Sequence, residues 1–199
     1  MTAELVEGEP TTYAEDAAAW RAWLAGHADT ERSVWLTIYH AASPTPGVPH
    51  REVMEHALCF GWVDGKALKR DAESFYLRFT PRNPRSTWSR VNRERAQRMI
   101  DAGLMTARGQ ATIDLAKETG TWDALAEADD GVVPGDLLAG LDGDPVARAN
   151  FEAFPPSSRH RILAWILTAK RPETRQRRIA RTIELAHDNL RANHPPVRN

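Results

Sequence analysis

Apolar residues along this chain change their period twice. In residues 33–39, SVWLTIY, Val34, Leu36 and Ile38 alternate with Trp35, Thr37 and Tyr39. That is the two-residue period of a strand, and aromatic or β-branched side chains on both faces predict a buried one. Before it, Tyr13, Ala17, Trp20 and Leu24 recur at helical spacing, with Thr12 and Glu15 fitting a capping box and Gly26 a natural stop. Helical spacing returns over 51–60 with Val53, Met54, Ala57 and Leu58, and Gly61 marks its end. Residues 62–69 and 74–80 then predict a hairpin with RDAES near the turn. Its second strand sets Phe75, Leu77 and Phe79 on one face and Tyr76, Arg78 and Thr80 on the other.

Beyond a Pro-Arg-Asn-Pro loop the whole chain reads as helix, with segments at 89–102, 107–118, 134–141, 145–154, 158–169 and 172–190. Gly103, Gly120, Gly131, Asp144-Pro145 and Pro155-Pro156-Ser157 punctuate them. In the last, Pro172 stands near the start and Ile179, Ile183, Ala186 and Leu190 form one stripe. The expected fold is α+β. A flexible acidic lead-in (1–12) precedes a small α/β portion with a short antiparallel sheet (13–87); a helical portion (88–190) and a frayed tail (191–199) follow. The sequence shows neither an internal repeat nor a low-complexity segment.

Charge changes this picture locally rather than globally. The 199 residues carry a net charge of -1, which gives no overall case for nucleic acid or membranes. Yet residues 1–31 hold seven acids (Glu4, Glu7, Glu9, Glu15, Asp16, Asp29 and Glu31) against Arg21 alone. Residues 78–98 hold seven arginines against Glu94, and residues 159–181 hold eight bases against Glu173. Cys59 is the single cysteine, so no intramolecular disulfide and no thiolate zinc cage can form. No cofactor or metal is expected. The start, MTAELVEGEP, has neither a basic nor an apolar region of the kind that marks a signal peptide, and no apolar run is long enough to span a bilayer. The expected location is the cytoplasm.

Three places carry candidate chemistry. His56 and Cys59 lie three apart on a predicted helix, where an imidazole can activate a thiolate; the flanking Ala57, Leu58 and Phe60 point instead to a buried thiol that packs. Asp64 and Lys66 follow the turn at Gly61 and Trp62, and Asp64 suits either a general base or a partner for Arg78 or Arg82. The stretch RFTPRNPRSTWS (78–89) is the strongest feature, offering Arg78, Arg82 and Arg85 as planar forks for an anion and Trp88 as a stacking surface. Pro81 and Pro84 stiffen it. Two readings stay open: a ligand site, or a connector whose arginines are neutralised by the protein's own acids, the N-terminal ones included. The segment TAKRPETRQRRIAR reads as a solvated basic face.

The runs ALCFGWVDG, RFTPRNPRSTWSRVNRERAQRMIDAGLMT and KRPETRQRRIARTIE resemble the bacterial YdeI/OmpD-associated, or bacteriocin-protection, family, over about Trp20 to Leu190. The resemblance implies an α+β N-terminal portion joined to helices, and an association with resistance to antimicrobial peptides and envelope stress. The family has no established catalytic residues to carry over, and its description as including periplasmic members is not matched by an export signal here. On this basis the first expectation is a non-catalytic cytoplasmic stress or resistance protein. It binds a small anionic or aromatic ligand through Trp62, Asp64, Lys66, Arg78, Arg82, Arg85 and Trp88. A protein partner fits the same expectation. The alternatives are an enzyme with Asp64 or His56 as base and arginines as electrostatic stabilisers, and a nucleic-acid binder using a basic helical surface.

Overall fold

The computed structural model describes residues 4–194. Among them, five strands and nine helices follow in the order β1 Leu5–Val6, β2 Glu9–Tyr13, α1 Ala17–His27, β3 Val34–Tyr39, α2 His50–Cys59, β4 Trp62–Lys69 and β5 Ser74–Pro81. Then come α3 Arg90–Asp101, α4 Ala107–Glu118, α5 Ala126–Asp129, α6 Gly135–Asp142, α7 Pro145–Ala153, α8 Pro156–Leu167 and α9 Pro172–His187. This is the α+β class expected. The chain divides into two units. One holds residues up to Ser86 together with Val91–Thr121; the other holds Thr87–Arg90 and the chain from Trp122 onward.

In the first unit the strands form one mixed sheet in the order β1-β2-β3-β5-β4. Strand β5 pairs antiparallel with both β3 and β4, setting Leu36 against Leu77, Thr37 against Tyr76 and Trp35 against Arg78. Alternation then sends Val34, Leu36, Ile38, Leu77 and Phe79 to one face. There they pack with Trp20 and Leu24 of α1 and Val53, Met54 and Ala57 of α2. Helix α1 begins at Asp16, whose carboxylate accepts the Ala19 N–H at 2.7 Å. The expected capping box at Thr12 and Glu15 is therefore displaced: Tyr13 and Thr12 belong to β2, and a true N-cap residue lies nearer the helix.

Two expectations for the N-terminal end are corrected. Of the lead-in expected over 1–12, residues 1–3 lie outside the described residues, and 5–6 and 9–12 are in strands, because Val6-Glu7-Gly8-Glu9 closes a two-residue hairpin with Glu7 (φ 50°) and Gly8 (φ 80°) both left-handed. Strand β2 then lies parallel to β3, pairing Thr11 with Trp35 and Tyr13 with Thr37, which makes the sheet mixed and not purely antiparallel.

Helices α3 and α4 belong with this sheet, although the chain from residue 88 onward reads as one helical portion in sequence. Met99 and Met105 join the sheet's core, and Arg98 of α3 reaches the buried Glu55 of α2 at 2.9 Å. Thr106 caps α4 and also donates from its N–H and hydroxyl to the Cys59 carbonyl at the end of α2.

The second unit packs α6 to α9 around Leu137, Leu141, Phe151, Phe154, Ile162, Leu163, Ile166 and Ile179. Proline stands in the first turn of α7, α8 and α9, where its missing N–H has no helical partner to lose. Asp144 caps α7 through the Ala147 N–H at 3.0 Å, and its carboxylate also lies 2.9 Å from His187 Nδ1 on α9. The short α5 has no counterpart among the sequence-predicted helices. Of the tail expected to fray, Ala192 is buried in this core, and residues 195–199 lie outside the described residues.

A glycine allows one close crossing in the first unit. A Cβ on Gly109 would stand 2.2 Å from the Cys59 carbonyl oxygen and 2.6 Å from its carbon, so α4 crosses the end of α2 only without a side chain there. Gly140 also faces a near neighbour, 2.4 Å away, but that atom is the terminal methyl of Ile183, which can rotate aside. Gly109→Ala is expected to destabilise the protein by about 1–3 kcal/mol and Gly140→Ala by clearly less, read as midpoints of denaturant unfolding.

Candidate functional site

The register of β5 sorts the sequence-predicted site residues onto two faces of one sheet. Asp64 stands opposite Phe79, and Trp62 opposite Pro81, so both belong to the helix-packed side. Trp62 has no exposed surface; its indole donates to the Ala28 carbonyl at 3.3 Å and meets Trp23 edge-on at 6.0 Å. Arg82 is buried at the end of β5, and its backbone N–H donates to the Gly61 carbonyl at 2.8 Å. Burial lowers the Arg82 guanidinium to about 10, with the charge of Asp64 opposing that shift. The crevice beside Asp64, walled by Met54, Ala57, Trp62, Phe79 and Asn92, has no room for a water molecule. Arg82 is thus buried where the end of α2 meets β5, within reach of the charge of Asp64, which itself stays exposed to solvent.

Arg78 points the other way. Its partner across β3 is Trp35, and between Asp64 and Ala67 strand β4 carries a bulge that sets Gly65 and Lys66 beside Arg78. The N-terminal hairpin supplies acids to this face. Glu9 accepts two parallel bonds from Arg78, Nε at 2.6 Å and Nη2 at 2.5 Å, while Glu7 pairs with Lys66. Glu4 accepts from the Tyr76 hydroxyl at 2.8 Å. Arg70 donates to the Tyr76 and Tyr39 hydroxyls at 3.1 and 3.3 Å. The hydrogen bonds from Arg78, partly opposed by burial, hold the Glu9 carboxyl below the usual carboxylate range. Of the remaining residues in the arginine stretch, Arg85 is exposed beyond an Asx turn in which Asn83 Oδ1 accepts the Arg85 N–H at 2.9 Å.

His56 and Cys59 do not make an activated pair. Cys59 is wholly buried, and burial pushes its thiol up, away from thiolate. Burial, and then the nearby Arg21 charge, lowers His56 below the ordinary imidazole value. On the same helix Glu55, absent from the sequence-derived candidates, is the buried charge. Burial would raise it, but hydrogen bonds from Arg98 and Arg51 prevail and keep it ionised.

Trp88 belongs to the second unit, buried with its ring centroid 4.9 Å from that of Trp122. The same unit contains a cleft of about 610 Å³, lined by Ser157, His160, Arg161, Ala164, Trp165 and Thr168 of α8 and its end, with Thr87, Leu125 and Asn193. His160 Nε2 lies 2.9 Å from a carboxylate oxygen of Asp129, itself almost wholly buried, which fixes the imidazole on the wall. Arg178 of α9 lies 5.1 Å above the Trp165 ring and donates to its carbonyl, steadying the indole and adding positive charge. These cleft residues are absent from the sequence-derived set, yet a signal exists. Positions 157, 160, 161, 164, 165 and 168 repeat at three and four residues, forming a polar and aromatic stripe beside the apolar Ile162, Leu163 and Ile166.

Among the described residues no helix is long and apolar enough to cross a membrane, and no group of three or more His, Cys, Asp or Glu side chains is placed to hold a metal ion. Comparison with family models gives two matches. Residues 12–112 match the family described as Domain of unknown function (DUF8412), and residues 130–189 match that described as Bacteriocin-protection, YdeI or OmpD-Associated. The second is the family that the sequence resembles. Its match includes KRPETRQRRIARTIE, whereas ALCFGWVDG and RFTPRNPRSTWS lie within the first match, so the resemblance is carried by a shorter region than Trp20 to Leu190. No curated protein matches the chain, and no solved structure matches it.

Because the native pKa of Glu9 is depressed, its pairing contributes stability above the unfolded carboxylate value and loses it as pH falls through the native one. Glu9→Gln is expected to lower stability by about 0.5–1 kcal/mol at pH 7, after allowing for solvent screening of a partly exposed pair. The difference from the parent should begin to shrink near the unfolded carboxylate value of about 4.3 and disappear only as pH falls through the lower native value, measured by thermal denaturation across the acid range.

Proposed function

We propose that this chain, which belongs to the family described as Domain of unknown function (DUF8412) and carries a bacteriocin-protection, YdeI or OmpD-associated region, is a non-catalytic binding protein of cytoplasmic stress or antimicrobial-resistance responses. Its ligand is a small anionic aromatic molecule. The observation that carries this reading is the cleft on α8. It combines a guanidinium (Arg161), an imidazole held by a buried carboxylate (His160), an indole (Trp165) and a hydroxyl (Thr168) around about 610 Å³, within the usual size of small-molecule pockets. Arg161 supplies a planar fork for carboxylate or phosphate and Trp165 a stacking surface, while the hydroxyls of Ser157 and Thr168 fix orientation. The ligand chemistry is the one expected from sequence, located on a different set of residues. Support also comes from the family match, which includes all six α8-side residues of the cleft.

The expectation centred on Arg78 and Lys66 is less well supported, since both cations already hold carboxylates of the N-terminal hairpin. A general-base reading for Asp64 lacks a cavity beside it. A thermal-shift and calorimetric screen of aromatic carboxylates and aryl phosphates tests the proposal. Binding is expected to weaken by about 1.5–3 kcal/mol in Arg161→Ala, as a charge-assisted pair is lost. Trp165→Ala should weaken it as well, with both variants folded. Absence of binding across the screen, or binding indifferent to both substitutions, refutes it.

A further inference from the structure

We infer that the sheet face away from α1 and α2 is a binding platform for single-stranded nucleic acid, occupied in this state by the chain's own acidic hairpin. The register fixes what this face carries. Trp35, Thr37 and Tyr39 of β3 share it with Ser74, Tyr76 and Arg78 of β5. The β4 bulge adds Lys66 beside Arg78, and Arg70 reaches in to the Tyr39 and Tyr76 hydroxyls. Three aromatic rings interleaved with three cations on one sheet face are the chemistry that holds a single strand. Bases stack on the rings, and phosphates pair with the cations in a way that tolerates sequence.

The hairpin supplies the counterpart of a phosphate chain. Glu4, Glu7 and Glu9, set around a tight hairpin, engage Tyr76, Lys66 and Arg78 in turn. This segment can lift with loss of the β1–β2 pairing alone, leaving the ladders of β2, β3, β5 and β4 in place. The β2–β3 ladder begins at Thr11 opposite Trp35, so residues 4–9 precede it and are held by their own hairpin pairing, two bonds from Thr11 to the Glu4 carbonyl and the acidic ties. Exchange starts at the Lys66–Glu7 pair, whose side chains are 52% and 51% exposed. Trp35 has no exposed surface while the hairpin is down, so stacking on it requires the hairpin to lift, which ties affinity to the three glutamates. The cover neutralises two of the three cations, Lys66 through Glu7 and Arg78 through Glu9, while Arg70 pairs with Asp71 of the β4–β5 turn at 3.2 Å.

The test uses the full chain and a labelled oligothymidylate, followed by fluorescence anisotropy at low and at moderate salt. The parent protein is expected to bind weakly. The combined variant E4Q/E7Q/E9Q should bind about tenfold more tightly, and E7Q alone about threefold, with affinity falling steeply as salt rises. Adding K66A and R78A should abolish the gain. Circular dichroism establishes folding; should the triple variant unfold, E7Q carries the test, since both side chains of its pair are half exposed. The inference is overturned if the glutamine variants bind no more tightly than the parent. It is equally overturned if the gain is for heparin or duplex DNA with no preference for the single strand.

Discussion

The pairing of β5 between β3 and β4 is the constraint on which the first unit depends. One register sends Leu77 and Phe79 under α1 and α2, and it sends Tyr76 and Arg78 to the opposite face. A slip of one residue would exchange the two sets, burying a guanidinium among Trp20, Leu24 and Val53 and exposing Phe79. The cost of an uncompensated charge in such a core is several kcal/mol, far beyond what either arrangement of ion pairs returns. Hydrophobic burial therefore sets the register, and the chemistry of each face follows from it. Asp64 and Arg78, neighbours in any reading of the sequence as a list, end on opposite sides.

Electrostatics then acts at two depths. On the second face, Glu7–Lys66 and Glu9–Arg78 are partly solvated pairs whose individual contributions are small, within about 1 kcal/mol. Their effect is geometric: acids four to nine residues into the chain are set against bases about sixty to seventy positions later, which seats a hairpin that residues 4–9 would otherwise hold only by a two-residue strand. On the helix side, Arg82 is buried and its proton is held less firmly than usual, while Glu55 is buried between Arg51 and Arg98. The buried Glu55 joins α2 to α3 through Arg98, whereas the end of α2 meets the end of β5 through the backbone bond from the Arg82 N–H to the Gly61 carbonyl.

Much of this architecture is written in the period of apolar residues. The strand at 34–39, the hairpin from 62 to 81 and most helices of the second half emerge from alternation or from three- and four-residue spacing, because burial selects those positions directly. Strand β2 does not. Its sequence, EPTTY, carries no apolar alternation, and its place in the sheet comes from parallel pairing and from the left-handed turn at Glu7-Gly8. Helix α5 is a single turn, too short to show a period. The site residues divide in the same way. That the arginine stretch would meet acids was readable from the charge blocks, but which acid meets which base was not, since Glu9 and Arg78 are joined by strand order rather than by spacing. The fate of Cys59 was readable from its apolar neighbours.

The cleft on α8 shows how one helix can carry a polar lining beside its packing face. Ile162, Leu163 and Ile166 commit one stripe to the core, and that stripe alone explains why the segment folds as it does. Ser157, His160, Arg161 and Thr168 fall on the adjoining stripe at the same helical period, together with Trp165, which also packs against this core. The buried Asp129 sharpens the point: an acid almost removed from solvent and turned toward His160 costs desolvation, and the imidazole it fixes lines the cleft. The packing stripe accounts for the fold, and the adjoining stripe sets the chemistry of the cleft wall.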